Sequence, residues 1–359
     1  MTKVKQLDFT GTTIFCGLDV HKVSWRVNVR DTELELKDFT QPADALLLHK
    51  HLTKNYPGAR YRAGYEAGFC GFGIQRQLAA LGIECVLLNA ADIPKGDKDR
   101  RQKNDKRDAR SISHELSIKK DLKSLYIPTP EWEHARTLVR NRQQQISDST
   151  RYKCRIWHFL HFSSLPAPDK AETGQYWSRK FIKKLEDMDC GSSELKTALQ
   201  IKLQDYLHKR SLLLQSTRAI RSLYKQDAYW QLMQLILSIP GIGEINAAII
   251  LFELQDILRF KTFDKLCSYV GLVPDTDDSG DTKRNKGLTH RRNTYLREAL
   301  IESSWVLIKK DPAMLMKYKD YCKRMHKNKA IIKIARHLLA RINYVLRKKT
   351  EYVSGLVAG

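Results

Sequence analysis

Along the first 125 residues, short apolar runs are separated by turn residues and alternate in period. Residues 14–19 form an apolar run that ends in an acid. Trp25, Val27 and Val29 then alternate with Arg26, Asn28 and Arg30, the period-2 signature of a half-buried strand. Residues 34–39 supply a third strand, completing a meander. The spacing next predicts a helix over 43–54, a strand over 61–66, a helix over 72–81 and a strand over 85–88. Residues 103–120 are polar, with helical spacing of Ile112, Leu116 and, less regularly, Ile118. A meander followed by strands alternating with helices predicts a mixed α/β sheet.

From 129 to about 226 no strand pattern appears. Ala135, Val139, Arg142, Ile146, Ser149, Lys153, Ile156 and Leu160 follow steps of four and three, which is heptad spacing with polar interruptions. Leu195, Leu199, Leu203, Tyr206 and Leu213 form a second stripe, and the stretch between holds Pro166, Pro168 and Gly174. An antiparallel helical pair, a coiled-coil arm and an ordinary bundle all fit. The last third is helical, with Gly271 and Pro274 ending a helix begun near Thr262 and Asp311-Pro312 starting another. The domains expected are 1–125, 126–228 and 229–359.

Composition narrows the class. With 42% apolar residues the chain is neither disordered nor collagen-like. Its longest clean apolar run, at 247–252, is far short of a membrane span. No leader pattern opens the sequence, and seven scattered cysteines without a CxxC pair fit a reducing compartment. A soluble, cytoplasmic, nucleoid-associated protein of a prokaryote is the expectation. The formal charge is +23, and 281–350 hold 20 Lys+Arg against 5 Asp+Glu, so +15 of it is concentrated there. That density predicts a polyanionic partner.

Three constellations carry chemistry. Asp19 and Glu66 end two predicted strands, and Asp105 and Asp108 lie three apart on one helix face. Such carboxylates supply the hard oxygens that Mg²⁺ takes, although any one of them alone reads as a cap or a surface charge. Ile239-Pro240-Gly241-Ile242-Gly243, between two apolar helical stretches, has the helix-hairpin-helix pattern, whose amides hold a DNA phosphate without reading sequence; a plain helical turn is the alternative. In 274–280, Ser279 stands beside a glycine in an acidic loop. It is trailed by Lys283, Arg284, Lys286, Arg291, Arg292 and Arg297, cations able to offset charge developing on a nucleophile or to contact phosphates.

Taken together and in order, GLDVHK (17–22), YEAG (65–68), KNDKRDA (103–109), IPGIG (239–243), SYVGLVP (268–274), SG (279–280) and KGLTHRRNTYLR (286–297) resemble the DEDD transposases of the insertion-sequence one-ten family. The resemblance implies a RuvC-like (RNase H-like) domain whose Asp19, Glu66, Asp105 and Asp108 bind one or two Mg²⁺ ions. A coiled-coil arm follows, then a helical C-terminal domain in which Ser279 forms a covalent phosphoserine link to DNA. It further implies donor and target duplex DNA, a structured guide RNA and a homo-oligomer, dimer to tetramer. A RuvC-like junction endonuclease using activated water, or a non-catalytic nucleic-acid-binding protein, are the competing readings.

Overall fold

The computed structural model describes residues 8–89, 93, 105–119, 122, 124–279 and 282–353, with the backbone alone at 105, 106, 276–279 and 282–286. It divides into two compact units, 1–127 and 128–359.

The N-terminal unit is built on a five-stranded sheet of order β3-β2-β1-β4-β5. Strands β1 (Thr13–Val20), β2 (Ser24–Arg30) and β3 (Glu35–Pro42) form the antiparallel meander, whereas β4 (Arg60–Glu66) and β5 (Glu84–Leu88) extend it in parallel. Helices α1 (Ala45–Asn55) and α2 (Gly73–Ala80) make the crossovers around β4. Asp44 caps α1 by accepting from the Leu46 and Leu47 amides. Strand β1 alternates between two buried faces. Ile14, Cys16 and Leu18 join a core with Leu48, Leu52 and Leu78, while Phe15 joins a second core with Ile112 and Leu116 of α3 (Asp105–Ile118). Burial on both faces explains why β1 reads as a continuous apolar run.

In the C-terminal unit, α4 (Pro130–Phe162) and α6 (Ser193–Tyr224) pack antiparallel. Arg142 donates to Thr217 at 2.9 Å, and Asp148 pairs with Lys209 at 3.7 Å. At the far end Ile156 and Leu160 meet Leu199, Leu203 and Tyr206. At about 1.5 Å per residue each helix runs roughly 50 Å. The expected stripe is buried at Ala135, Val139, Ser149, Ile156 and Leu160, but Ile146 is exposed. There the polar Arg142 and Asp148 contacts replace apolar packing. Helix α5 (Arg179–Glu186) closes the far end with Phe181, Ile182 and Leu185, a small core of its own.

The near ends of this pair enter a larger core with α7 (Asp227–Leu237), α8 (Glu244–Leu254), α9 (Phe263–Val270), α10 (Thr294–Lys310), α11 (Pro312–Cys322) and α12 (Lys327–Lys348). Thr262 caps α9 and Gly271, at φ +83°, ends it, as the sequence predicts. Asp311 caps α11 and is also held by Arg341 at 2.6 Å.

One expectation is corrected here. The stretch carrying Ser279 is not a loop within helical surroundings but an antiparallel hairpin of β6 (Pro274–Ser279) and β7 (Thr282–Leu288), with Ser279 opposite Thr282. The helix that follows the hairpin starts at Thr294, behind the Asn293 cap, so Arg291 and Arg292 precede it. Its Leu296, Leu300 and Leu307 face inward.

Candidate active site and nucleic-acid interface

Asp19 and Glu66 stand at the ends of two adjacent parallel strands. The strand register pairs Gly17 with Gly64 and Leu18 with Tyr65, so the next residues of each strand are Asp19 and Glu66. Neighbouring strands lie about 4.8 Å apart. By alternation both acids share the face of Gly17 and Gly64, opposite the Leu18 and Tyr65 side chains, and that is the face α3 covers. A Cβ on Gly17 would overlap the Ala109 carbonyl and lie 2.5 Å from the Ser113 nitrogen; on Gly64 it would meet Leu116 at 3.0 Å. Glycine at these two points lets the helix lie directly on the strands.

Side-chain bonds fasten α3 to the meander. The Ser113 hydroxyl donates to buried Asn28, the partner of Gly17, at 2.6 Å. His114 bonds Arg30, the partner of Phe15, at 2.7 Å, and Arg110 reaches Glu35 at 2.6 Å. Arg110 and His114 thus both reach the level of Phe15, while Ser113 lies over Gly17. Asp108 is half-buried; the Asp105 side chain lies outside the described residues. His21 Nε2 sits 3.3 Å from Asp19 Oδ2, a neighbour that the sequence reading did not single out. Carboxylate oxygens are the donors that Mg²⁺ prefers. Among the described residues, no three His, Cys, Asp or Glu side chains close into a ready cage.

In the C-terminal unit the side chains of Ser279, Lys283, Arg284 and Lys286, like Gly280 altogether, lie outside the described residues. The base of their hairpin is well defined. Thr289 N–H donates to the Val273 carbonyl at 3.1 Å, and Arg297 donates to the carbonyls of Gly271 and Thr289 at 3.3 Å each. Burial, then the nearby Arg292, lowers the pKa of Arg297 from its ordinary value. Arg291 and Arg292 are exposed. Gly271 leaves room for Arg292, whose Cβ would lie 2.3 Å from a Cβ added there.

Behind the hairpin is a buried ionic knot that sequence reasoning missed. Glu253 is fully buried in α8 and accepts from Arg140 Nε at 2.6 Å and Nη2 at 2.8 Å, and from Asn293 Nδ2 at 2.7 Å. The Tyr269 hydroxyl donates to the Glu253 carbonyl at 3.1 Å and accepts from Asn293 at 3.2 Å. Asn293 in turn caps α10. The carboxylate thus fastens α4 to the entry of α10, and the backbone carbonyl of the same residue holds Tyr269 of α9. The available signal was an acid inside the otherwise apolar run of α8.

The 239–243 turn does join two helices. Gly241, at φ +91°, is required by packing, since a Cβ there would lie 2.6 Å from the Leu307 nitrogen. Ile242 is buried, Gly243 is exposed with open space beside it, and Pro240 is half-buried. Glu244, next in line, pairs with Arg221 at 3.2 Å.

Comparison with known proteins places these features. Residues 16–163 match the DEDD transposase model of IS110 elements, and residues 233–319 match a model described as the transposase IS116/IS110/IS902 family. The chain is 24% identical to the y4qE protein of Sinorhizobium fredii, which carries a transposase name, over 81% of this chain and 71% of that one. It is 27% identical to y4rJ of the same organism, likewise named, over 77% and 74%. With the transposase for insertion sequence element IS1533 of Leptospira borgpetersenii it shares 24% identity over 81% and 84%. No described helix is long and apolar enough to cross a membrane. The chain belongs to the IS110 family of insertion-sequence transposases.

Proposed function

We propose that this transposase cuts and rejoins DNA through a covalent phosphoserine intermediate formed by Ser279, with Asp19, Glu66, Asp105 and Asp108 as holders of Mg²⁺. The observation that carries the metal half is the pairing of Asp19 and Glu66 at adjacent strand ends on the face covered by α3. Mg²⁺ bound there supplies Lewis-acid neutralisation of phosphate oxygens. In the serine step the hydroxyl loses its proton as Oγ bonds to phosphorus. The P–O bond to the leaving strand breaks, and the leaving oxygen takes up a proton. Attack by a strand hydroxyl on the phosphoserine reverses this and frees the serine. The phosphodiester energy is conserved, so rejoining needs no nucleotide triphosphate.

In this reading Lys283, Arg284, Lys286, Arg291 and Arg292 contact phosphates around the reacting strand, and Arg297 holds the hairpin base. The 239–243 turn acts as a helix-hairpin-helix, its phosphate contact falling to the exposed Gly243 amide. Helices α4 and α6 serve as a coiled-coil arm between protomers of a dimer or tetramer. A structured RNA pairs with the donor and target duplexes, a role that rests on the family resemblance alone.

The test is an adduct assay with labelled DNA, the element's RNA and Mg²⁺. A denaturation-resistant protein–DNA species that disappears in Ser279→Ala is the expected result. Cleavage without an adduct, unaffected by Ser279→Ala, would replace this reading with a water-using junction endonuclease. Asp19→Asn and Glu66→Gln should abolish the chemistry while leaving thermal unfolding unchanged; recombination at wild-type rates in either would remove the metal role.

A further inference from the structure

At the base of the β6–β7 hairpin lies a cavity of about 790 Å³ whose floor is apolar and whose rim is cationic. Leu272, Leu288 and Ile332 form part of the floor. Arg292, Arg297, Lys329, Lys333 and Arg336 stand around it, with His290 beside them and no acid in the lining.

Two of these cations are already engaged. Arg297 holds the Gly271 and Thr289 carbonyls, and Arg336 pairs with Asp264 at 2.9 Å. Arg292, Lys329 and Lys333 are exposed, and among the described residues none has an acidic partner. The helices that deliver them are charged against their own dipoles. A helix N-terminus favours anions and disfavours cations, and α4, α6, α7, α8 and α9 each carry an acid in the first turn. Helices α10 and α12 carry none. Instead α12 begins with Lys327 and Lys329, and Arg291 and Arg292 immediately precede α10. Two helix starts of this kind on one cavity leave an uncompensated positive field there.

We propose that this cavity seats the DNA strand beside the scissile bond, with Lys329, Lys333 and Arg292 on its phosphodiester oxygens and the apolar floor under a sugar. The inference rests on the reading of Ser279 as the residue that attacks DNA, and it extends the interface to α12, which the motif pattern left out. DNA is the occupant because the cavity is bounded by Pro274 and Leu288, the two ends of the hairpin that carries Ser279. Its dimensions exceed those of a single phosphate, and its mixture of apolar floor and cationic rim matches the alternation of sugar and phosphate along a strand.

The test is done on the full chain in the Ser279→Ala background, so that binding is read without chemistry. Fluorescence anisotropy of labelled duplex DNA, and separately of an RNA of equal length, is followed between about 50 and 200 mM salt. Each lost phosphate contact removes about 0.9 from the slope of log K against log salt on duplex DNA. Lys329→Gln/Lys333→Gln should therefore flatten the DNA slope by about 1.8 and leave the RNA slope unchanged. Lys309→Gln/Lys310→Gln, at the opposite end of α10, should leave both slopes as they are. Both pairs are exposed, and an unchanged thermal midpoint confirms folding. An unchanged DNA slope in the α12 variant would overturn the proposal. So would an equal loss in both variants, which indicates a diffuse basic surface, or a change on RNA alone. The outcome is separable from the covalent reading: loss of the wild-type adduct with the DNA slope still sensitive to Lys329 and Lys333 removes the nucleophile and keeps the cavity.

Discussion

Replacing Glu253 by Gln probes how firmly the hairpin base is held. The substitution keeps the shape of the side chain but removes the charge that accepts two bonds from Arg140 and one from Asn293. Hydrogen bonds to charged groups contribute about 1.5–3 kcal/mol each, so three in isolation suggest roughly 5–9 kcal/mol. That sum overshoots. Arg140 is 40% exposed and recovers solvation when its partner goes, and glutamine still accepts one bond. Breaking a buried pair from one side costs about 3–5 kcal/mol, and the lower end applies here. For a unit of this size each kcal/mol moves the midpoint by about 2–4 °C, so a fall of roughly 6–12 °C is expected by calorimetry. Arg136 sharpens the effect: burial, then the neighbouring Arg140, already lowers its pKa, and Glu253 is the charge that opposes this. Limited proteolysis should show earlier cutting within 274–293, because Asn293 loses its charged anchor. A midpoint shift below about 2 °C, or an unchanged cleavage pattern, would refute the reasoning.

Gly17→Ala should drive α3 off the sheet, because the new methyl strikes the Ala109 and Ser113 backbone; overpacking of this kind costs about 1–3 kcal/mol or more. Hydrogen exchange should then speed up over 109–116, while Gly73→Ala, with open space around it, should have no such effect. His337 bonds the Tyr321 hydroxyl at 2.9 Å, and burial, then Lys317 and Arg341, lowers its pKa below 6.5. It is neutral in the fold, so its contribution is intact above the unfolded value of about 6.5 and is lost as pH falls through the lower folded value. The midpoint of wild type should therefore drop more between pH 7 and 5 than that of His337→Gln; parallel profiles would contradict this. A thiol reagent at pH 8 should modify exposed Cys154 and Cys322 first. Cys16 and Cys85, pushed up to about 12 by burial, should react only on unfolding, and prompt loss of either would contradict their burial.

The sheet was legible because β1 and β2 announce themselves through apolar runs and period-2 alternation, and the acids Asp19 and Glu66 sit near the ends of β1 and β4. The hairpin was not. PDTDDS and TKRNKGL contain residues with weak strand preference and no alternation of apolar positions, so only tertiary context makes them strands. The glycines divide in the same way. Gly271 was readable as a helix stop from local sequence, whereas Gly17 and Gly241 answer to backbone arriving from 109 and 307, which no local window contains. Glu253 depends on Arg140 and Asn293, 113 and 40 residues away. The heptad stripe gave both helices of the long pair, but the exposure of Ile146 reflects polar contacts from α6 that spacing alone does not encode.

The way α4 enters the large core has a consequence for synthesis on the ribosome. Ala135 and Val139 belong to one buried cluster that extends to residues as distant as Leu338 and Leu339. Roughly 200 residues must be translated between them, which at about 5–20 residues per second takes some 10–40 s. During that interval the cluster that the base of α4 enters is incomplete, whereas the 1–127 unit already holds all the strands of its sheet. A message truncated before α12 would therefore yield a chain with every strand of the first sheet and an incomplete apolar cluster in the second unit, a substrate for chaperones and proteases.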